Sequence, residues 1–176
     1  MNFELKHTFD APVDVVIAAM CDPDFPAFMK ANMKAMEDIE SLDRKDSGNQ
    51  LEWRLRCKPV PMIKKVGPKD IPPSLFPFIQ ESKVDKAGKT ISFRNIGEHP
   101  KVRQHMENQG TFKFRDVGGK TERTISGQLK IIGLPFLLKP LAMIAEQIIY
   151  SNAEKLLLEE ASVFGKFLAQ RGAKPA

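Results

Sequence analysis

VRQHMENQGTFKFRDVGGKTERTISGQLKII runs from Val102 to Ile132, and its alternation carries the architecture. Val102, Gln104, Met106, Asn108, Gly110, Phe112 and Phe114 share one phase. After Asp116-Val117-Gly118-Gly119-Lys120, Ile125, Gly127, Leu129 and Ile131 take it up again. A period of two over this length reads as a strand with one buried face, and the paired glycines between the runs read as a tight hairpin turn. Strands are therefore expected over Val102 to Phe114 and Thr121 to Ile132. The pattern then changes. From about Phe136 to Gln170, Leu141, Ile144, Ile148, Leu156 and Phe167 recur at helical intervals, Gly133-Leu134-Pro135 opens the segment and Arg171-Gly172 closes it. A sheet with one apolar face, followed by one long helix expected over 135–171, buries both faces by wrapping the first on the second.

The upstream sequence supplies more of the same sheet. Phe3, Leu5, His7 and Phe9 alternate with Glu4, Lys6 and Thr8. Asp10-Ala11-Pro12 turns the chain into a short helix over Val13 to Met20, with Asp10 or Asp14 as its expected cap and Pro12 in its first turn. Cys21-Asp22-Pro23 ends it, and a second short helix spans about Asp24 to Asn32. A strand over Met36 to Arg44, the turn Ser47-Gly48-Asn49, and the sharply alternating Leu51, Trp53, Leu55 and Cys57 form a hairpin. Strands resume over Phe78 to Asp85 and Thr90 to Ile96. Between the hairpin and these strands, residues 58–77 hold Pro59, Pro61, Pro68, Pro72, Pro73 and Pro77, which forbid a central strand, together with Val60, Ile71, Leu75 and Phe76, which a polar linker would lack. This segment is expected to be a structured gating loop.

Composition sets the limits. With 176 residues the chain is expected to form a single domain, residues 1–176, able to bury roughly two-thirds of its unfolded surface without metal or disulfide. Hydrophobic residues make up 42% and charged residues 28%, the balance of a soluble globular protein. Cys21 and Cys57 occupy apolar patterns and are expected to be free buried thiols, which suits a cytoplasmic location. The opening residues lack the basic and apolar regions of a signal peptide, and no uncharged apolar run reaches the length of a membrane span. The net charge of +5 is spread over the chain with acidic residues interleaved, so no nucleic-acid partner is expected.

The order of elements, and above all the wording of the first 25 residues, resembles the START-like superfamily, which includes Bet v 1-type allergens, polyketide cyclases and lipid-transfer domains. Phe-Glu-Leu-Lys-His-Thr-Phe-Asp-Ala-Pro-Val-Asp-Val-Val, residues 3–16, is similar to the usual opening of its bacterial members, and Met-Cys-Asp-Pro-Asp-Phe, residues 20–25, to the phrase that ends the first helix. The nearest likeness is to an uncharacterised bacterial branch. The resemblance implies an α+β helix-grip fold: a curved antiparallel sheet around a long C-terminal helix, with two short helices after the first strand. It also implies an apolar ligand cavity between sheet and helix. It brings no catalytic motif onto residues of this chain, and the proline-rich segment 58–77 departs from the pattern near the cavity mouth.

Within that frame the inward side chains are the candidate ligand contacts. The sheet and loop offer Trp53, Leu55, Phe76, Phe78, Phe93, Phe112 and Leu129, and the helix offers Leu141, Ile144 and Ile148. Gln80, Asn95, Gln104 and Asn108 fall in the same phase as apolar neighbours, and an amide buried without a partner costs on the order of 1–3 kcal/mol. Gln104, Asn108 or His7 is thus expected to orient a ligand's polar end, although His7 also fits as a core histidine with one satisfied hydrogen bond. No HxxxH, HExxH, CxxC or GxSxG spacing occurs, so neither a metal nor another cofactor is expected and no catalytic residue is assigned.

Three functions fit these residues. The first is a carrier or sensor for a hydrophobic small molecule, whether lipid, fatty acid, isoprenoid or polyketide-like. The second is a cyclase- or aromatase-type enzyme with His7 as base and Arg94 or Arg115 as electrophilic helper. The third is a protein-interaction module with a filled cavity. The residues favour binding over catalysis. Lys58, Lys64, Lys65 and Lys69 beside apolar residues suit transient contact with an anionic membrane surface.

Overall fold

The structure, a computed structural model, describes residues 1–48, 50–61, 65–66, 69–133 and 139–171. Strand β1 (Asn2–Phe9) leads into helices α1 (Val13–Met20) and α2 (Phe25–Asn32). The hairpin β2 (Met36–Asp46) and β3 (Gln50–Pro59) follows, then the short pair β4 (Lys65–Val66) and β5 (Lys69–Asp70) and a 3-10 turn at Pro73–Leu75. Strands β6 (Phe78–Asp85) and β7 (Thr90–Gly97), helix α3 (Pro100–His105), strands β8 (Met106–Asp116) and β9 (Thr121–Ile131), and helix α4 (Lys139–Gln170) complete the chain. The main sheet has seven strands in the order β1-β9-β8-β7-β6-β3-β2, antiparallel throughout.

Local chemistry explains most of these boundaries. The β8–β9 turn forms where expected: Asp116 Oδ1 accepts hydrogen bonds from the amides of Gly118 and Gly119, whose φ values of 73° and 82° belong to the left-handed region that glycine enters freely. Thr121 Oγ1 donates to Ala11 O at 2.7 Å in the interior, tying the turn before α1 to β9. The expected caps of α1 are corrected: Pro12 itself stands at the N-cap, no side chain caps the helix, and Asp14 lies in the first turn, where its charge suits the helix dipole. In β2 two register shifts, between Met36 and Asp38 and between Ser41 and Asp43, bend the strand and blur its alternation.

The expected strand over Val102 to Phe114 is also corrected. Residues 100–105 form α3, with Pro100 in the first turn and the His99 side chain accepting from the Lys101 amide. Gly97 makes room for this turn, since a Cβ there would lie 2.4 Å from Val102 Cγ1. Gln104 is therefore an exposed helical residue rather than an inward strand residue.

The inner face of the sheet is covered by α4 with the help of α1 and α2. Leu157, Phe164 and Phe167 recur at helical spacing and meet Phe9, Phe25 and Phe28. Phe9 and Phe164 pack edge to face with centroids 5.0 Å apart, and Phe25 lies 5.1 Å from Phe164. Such aromatic pairs add about 0.5–1.5 kcal/mol each beyond simple burial.

One cross-strand row departs from this filling. Phe3, Gly127, Gly110, Phe93, Ser82 and Trp53 stand side by side on β1, β9, β8, β7, β6 and β3. The two glycines have no side chain to raise, and the neighbouring rings take up the space. A Cβ on Gly127 would lie 2.5 Å from Phe3 Cζ and 2.8 Å from Gln109 O, and one on Gly110 would lie 2.5 Å from Ser126 O and 2.7 Å from Phe93 Cζ. The backbone oxygens cannot yield as a flexible side chain would. Gly110→Ala and Gly127→Ala are each expected to lower stability by about 1–3 kcal/mol, seen as a lower urea midpoint at unchanged slope.

Candidate functional site

Above the glycine row the sheet and helices separate and enclose a cavity of about 130 Å³ among the described residues. The sheet forms its floor with Phe3, Trp53, Leu55, Phe93 and Leu129. Its roof is Tyr150, Ala153, Leu156, Leu157 and Glu160 of α4, spaced to project from one side of the helix. Met20, Met29, Met33 and Met36 close the side toward α1 and α2. This wall is soft, because the unbranched thioether side chain repacks around differently shaped neighbours. Glu159 fixes its position by accepting the backbone amides of Lys34 at 2.7 Å and Ala35 at 3.0 Å.

The floor carries one polar stripe. Leu55, Gln80, Asn95, Asn108 and Leu129 are cross-strand neighbours in that order on β3, β6, β7, β8 and β9. Three carboxamides thus lie in a row flanked by two leucines, each on a cavity-lining residue. Gln80 Nε2 donates to Ser82 Oγ at 3.2 Å. Asn95 Oδ1 is buried and has no hydrogen-bond partner among the described residues. Buried polar atoms are nearly always paired, so this oxygen carries an uncompensated cost in the folded chain.

The deep end of the site is ionic. Arg123 is fully buried and its guanidinium grips Glu160 in bidentate fashion, Nη1 to Oε1 at 2.9 Å and Nη2 to Oε2 at 2.6 Å. Its cation lies over the rings of Phe9 and Phe112, at 5.0 and 5.4 Å from their centroids. Arg123 Nη2 also lies 3.3 Å from His7 Nδ1. A guanidinium only donates, so His7 accepts at Nδ1 and its proton sits on Nε2. Burial, and secondly the Arg123 charge, hold the His7 pKa below the usual histidine value, with Glu160 opposing more weakly.

The candidate contacts separate into groups. Trp53, Leu55, Phe78, Phe93, Asn108, Phe112 and Leu129 line the cavity. His7 faces inward but meets Arg123 rather than the cavity, and Phe76 and Gln104 are not on its wall. The side chains of Leu141, Ile144 and Ile148 lie outside the described residues. Arg94 and Arg115 are exposed, and Arg115 pairs with Glu122 at 2.7 Å, so neither serves the interior. Within 58–77, residues 62–64 and 67–68 lie outside the described residues, and no described residue of the segment lines the cavity. Arg123 and Glu160 were missed by reading the sequence, although Arg123 is in phase with Ile125 and Leu129 and Glu160 is in phase with Leu157 and Phe164. Both cysteines are free, and burial pushes the Cys57 thiol up to about 12 and the Cys21 thiol to about 11, so each stays protonated and inert at neutral pH.

The architecture has counterparts among solved structures. TTHA0849 from Thermus thermophilus superposes with a TM-score of 0.65 at 17% identity, over 98% of this chain and 99% of the other. The Zhui aromatase/cyclase from a Streptomyces species gives 0.63 at 14%, over 97% and 94%. Norcoclaurine synthase from Thalictrum flavum gives 0.66 at 15%, over 97% and 95%. The fold is the START-like, Bet v 1-like helix grip. No family model and no curated protein matches the chain. In helix-grip terms, α4 is the gripped helix and Arg123–Glu160 is the point where the sheet holds it. Among the described residues, no helix is long and apolar enough to cross a membrane.

Two outcomes are expected at the ionic end. Glu160→Ala leaves a buried guanidinium uncompensated and should cost about 3–5 kcal/mol in urea denaturation, while the double variant Arg123→Met/Glu160→Leu should recover most of that loss. His7 adds a pH dependence. Its folded pKa is depressed, so the unfolded chain takes up the proton first as pH falls; the histidine's contribution is complete above about 6.5 and is lost as pH drops toward the depressed value. Urea midpoints should therefore rise with pH through this window, and His7→Phe should flatten the rise.

Proposed function

We propose that this chain binds a small, largely apolar molecule in the cavity between sheet and α4, as a carrier or sensor. The observation that carries the reading is an apolar enclosure whose floor presents a row of carboxamides with an unpartnered buried acceptor at Asn95. A core that served stability alone would fill this space, since empty volume and unpaired amides both cost free energy. The volume sets the scale of the occupant: a cavity of about 150 Å³ lined by aliphatic and aromatic side chains holds one benzene ring. An enclosure of about 130 Å³ suits a single ring or a short chain as it stands. The methionine wall allows longer ligands to enter by rotamer changes.

Catalysis is less well supported. The names of two structural counterparts, an aromatase/cyclase and norcoclaurine synthase, make a cyclase-type reaction on a polyketide-like substrate the alternative. A base on the cavity wall would be needed. Glu160 already has both oxygens engaged by Arg123, the Cys57 thiol is held protonated, and His7 lies off the wall. A protein-interaction role with a filled cavity has no supporting contact. The free thiols suit the cytoplasm. Exposed Val60 beside Lys58 supports transient contact of the 58–77 segment, as a gate, with an anionic membrane.

Native mass spectrometry of the protein as purified from cells, followed by solvent extraction, tests the binding reading directly. The expected result is a bound molecule of defined mass or, in an empty protein, saturable quenching or shift of the single tryptophan, Trp53, on titration with toluene. Ala153→Phe projects a ring into the cavity from α4 and should weaken toluene binding at least about tenfold, at a stability cost of about 1–3 kcal/mol. An empty protein whose tryptophan ignores toluene would end the proposal.

A further inference from the structure

We infer that the preferred occupant is an uncharged molecule of about one ring that carries a hydroxyl group, held by the carboxamide row Gln80, Asn95 and Asn108. The inference rests on the binding reading above and narrows its ligand class.

Charge narrows the ligand first. The described residues lining the cavity include no lysine, arginine or histidine. Among the described residues the one charged group on the wall is Glu160, and the cation that neutralises it, Arg123, lies behind it with no exposed surface. Both Arg123 terminal nitrogens are committed, Nη1 to Glu160 and Met20 Sδ and Nη2 to Glu160 and His7. A carboxylate ligand would therefore be buried facing another carboxylate, with no cation among the described wall residues to meet it. An ammonium ligand fares little better, because Glu160 is already paired with Arg123. Buried charges persist only when they are partnered. The fatty acids that the sequence alone left open are disfavoured by the same reasoning.

The remaining polarity belongs to the amide row. Neighbouring strands lie about 4.8 Å apart, so the three carboxamides span about 10 Å, the length of one substituted ring. Gln80 Nε2 is engaged with Ser82, and the Gln80 oxygen and the Asn108 carboxamide remain on cavity-lining residues. A hydroxyl donates to a carboxamide oxygen of the row and can in turn accept from a neighbouring amide group. A ketone or ether only accepts and uses half of what the row offers. The leucines at the ends of the row, Leu55 and Leu129, and the rings of Phe93 and Trp53 beside it then enclose the apolar body of the ligand.

Three probes of matched shape separate the possibilities: para-ethylphenol, ethylbenzene and para-ethylbenzoate, titrated calorimetrically at about pH 7.5, where the phenol is neutral and the benzoate ionised. Para-ethylphenol is expected to bind about tenfold more tightly than ethylbenzene, the margin of one good buried hydrogen bond, and the benzoate at least about tenfold more weakly than the phenol. Asn95→Leu is expected to bring the phenol-to-hydrocarbon ratio close to one. Asn108→Leu should reduce it as well and serves as the second variant should the first lose its cooperative unfolding transition. Equal affinity for phenol and hydrocarbon, tightest binding of the benzoate, or an undiminished ratio in both variants would overturn this inference while leaving the cavity reading intact. Failure of all three probes to bind would overturn both.

Discussion

A guanidinium and a carboxylate meet where the sheet touches its helix, and the cavity takes its position from that contact. Arg123 on β9 and Glu160 on α4 form a bidentate pair, and Arg123 is wholly sequestered under Phe9 and Phe112. Attraction between two buried charges barely offsets the cost of removing them from water, so the pair adds little stability compared with a leucine and a methionine of similar volume. What it imposes is register. A hydrophobic seam tolerates a helix that slides by part of a turn, whereas a bidentate contact accepts one placement. With Glu160 fixed, Ala153 and Leu157 come to line the cavity, and Phe164 and Phe167 pack against Phe9, Phe25 and Phe28.

The cavity exists because the floor beneath it has been lowered. Gly110 and Gly127 lie opposite one another on the two longest central strands, and the rings of Phe93 and Phe3 fold into the space their missing side chains leave. Larger residues there would lift both rings toward α4 and close the enclosure. The same device bends the sheet, since strand segments without Cβ atoms curve with less resistance. Curvature and void therefore have one cause. On the far side, four methionines replace the rigid packing seen around Phe164, so that wall is built of the most adaptable side chains.

Much of this was legible in the sequence. The alternation of Leu51, Trp53, Leu55 and Cys57, the glycine turn at 118–119 and the helical stripe after residue 139 each reflect local chemistry, and the chain follows them. Asn95 and Asn108 were in phase with apolar neighbours and do face the cavity. Two kinds of information were less visible. At residues 100–105 the alternation of Val102 and Gln104 continued that of β8 by chance, and the opposing signal, Pro100 after a capping His99, prevailed because Gly97 left room for a helical turn. Arg123 and Glu160 sat in the inward phases of their elements, but a single charged side chain there is unfavourable, and nothing local reveals that its partner stands 37 residues away. The contribution of Met33 and Met36 to the wall likewise depends on how α2 docks.

The bulged strand β2 has a consequence outside the site. It is one of the two edges of an open sheet, and an open edge offers unpaired backbone groups to any extended chain that passes. Two register shifts twist β2 out of line, and Glu37, Glu40, Asp43, Lys45 and Asp46 place exposed, mostly negative charges along it. An incoming strand would find few amides in sequence and would have to bury charge to reach them. A core that encloses a hollow gives up some of its margin against misfolding, and here one of the two edges open to runaway strand pairing is guarded by its own irregularity.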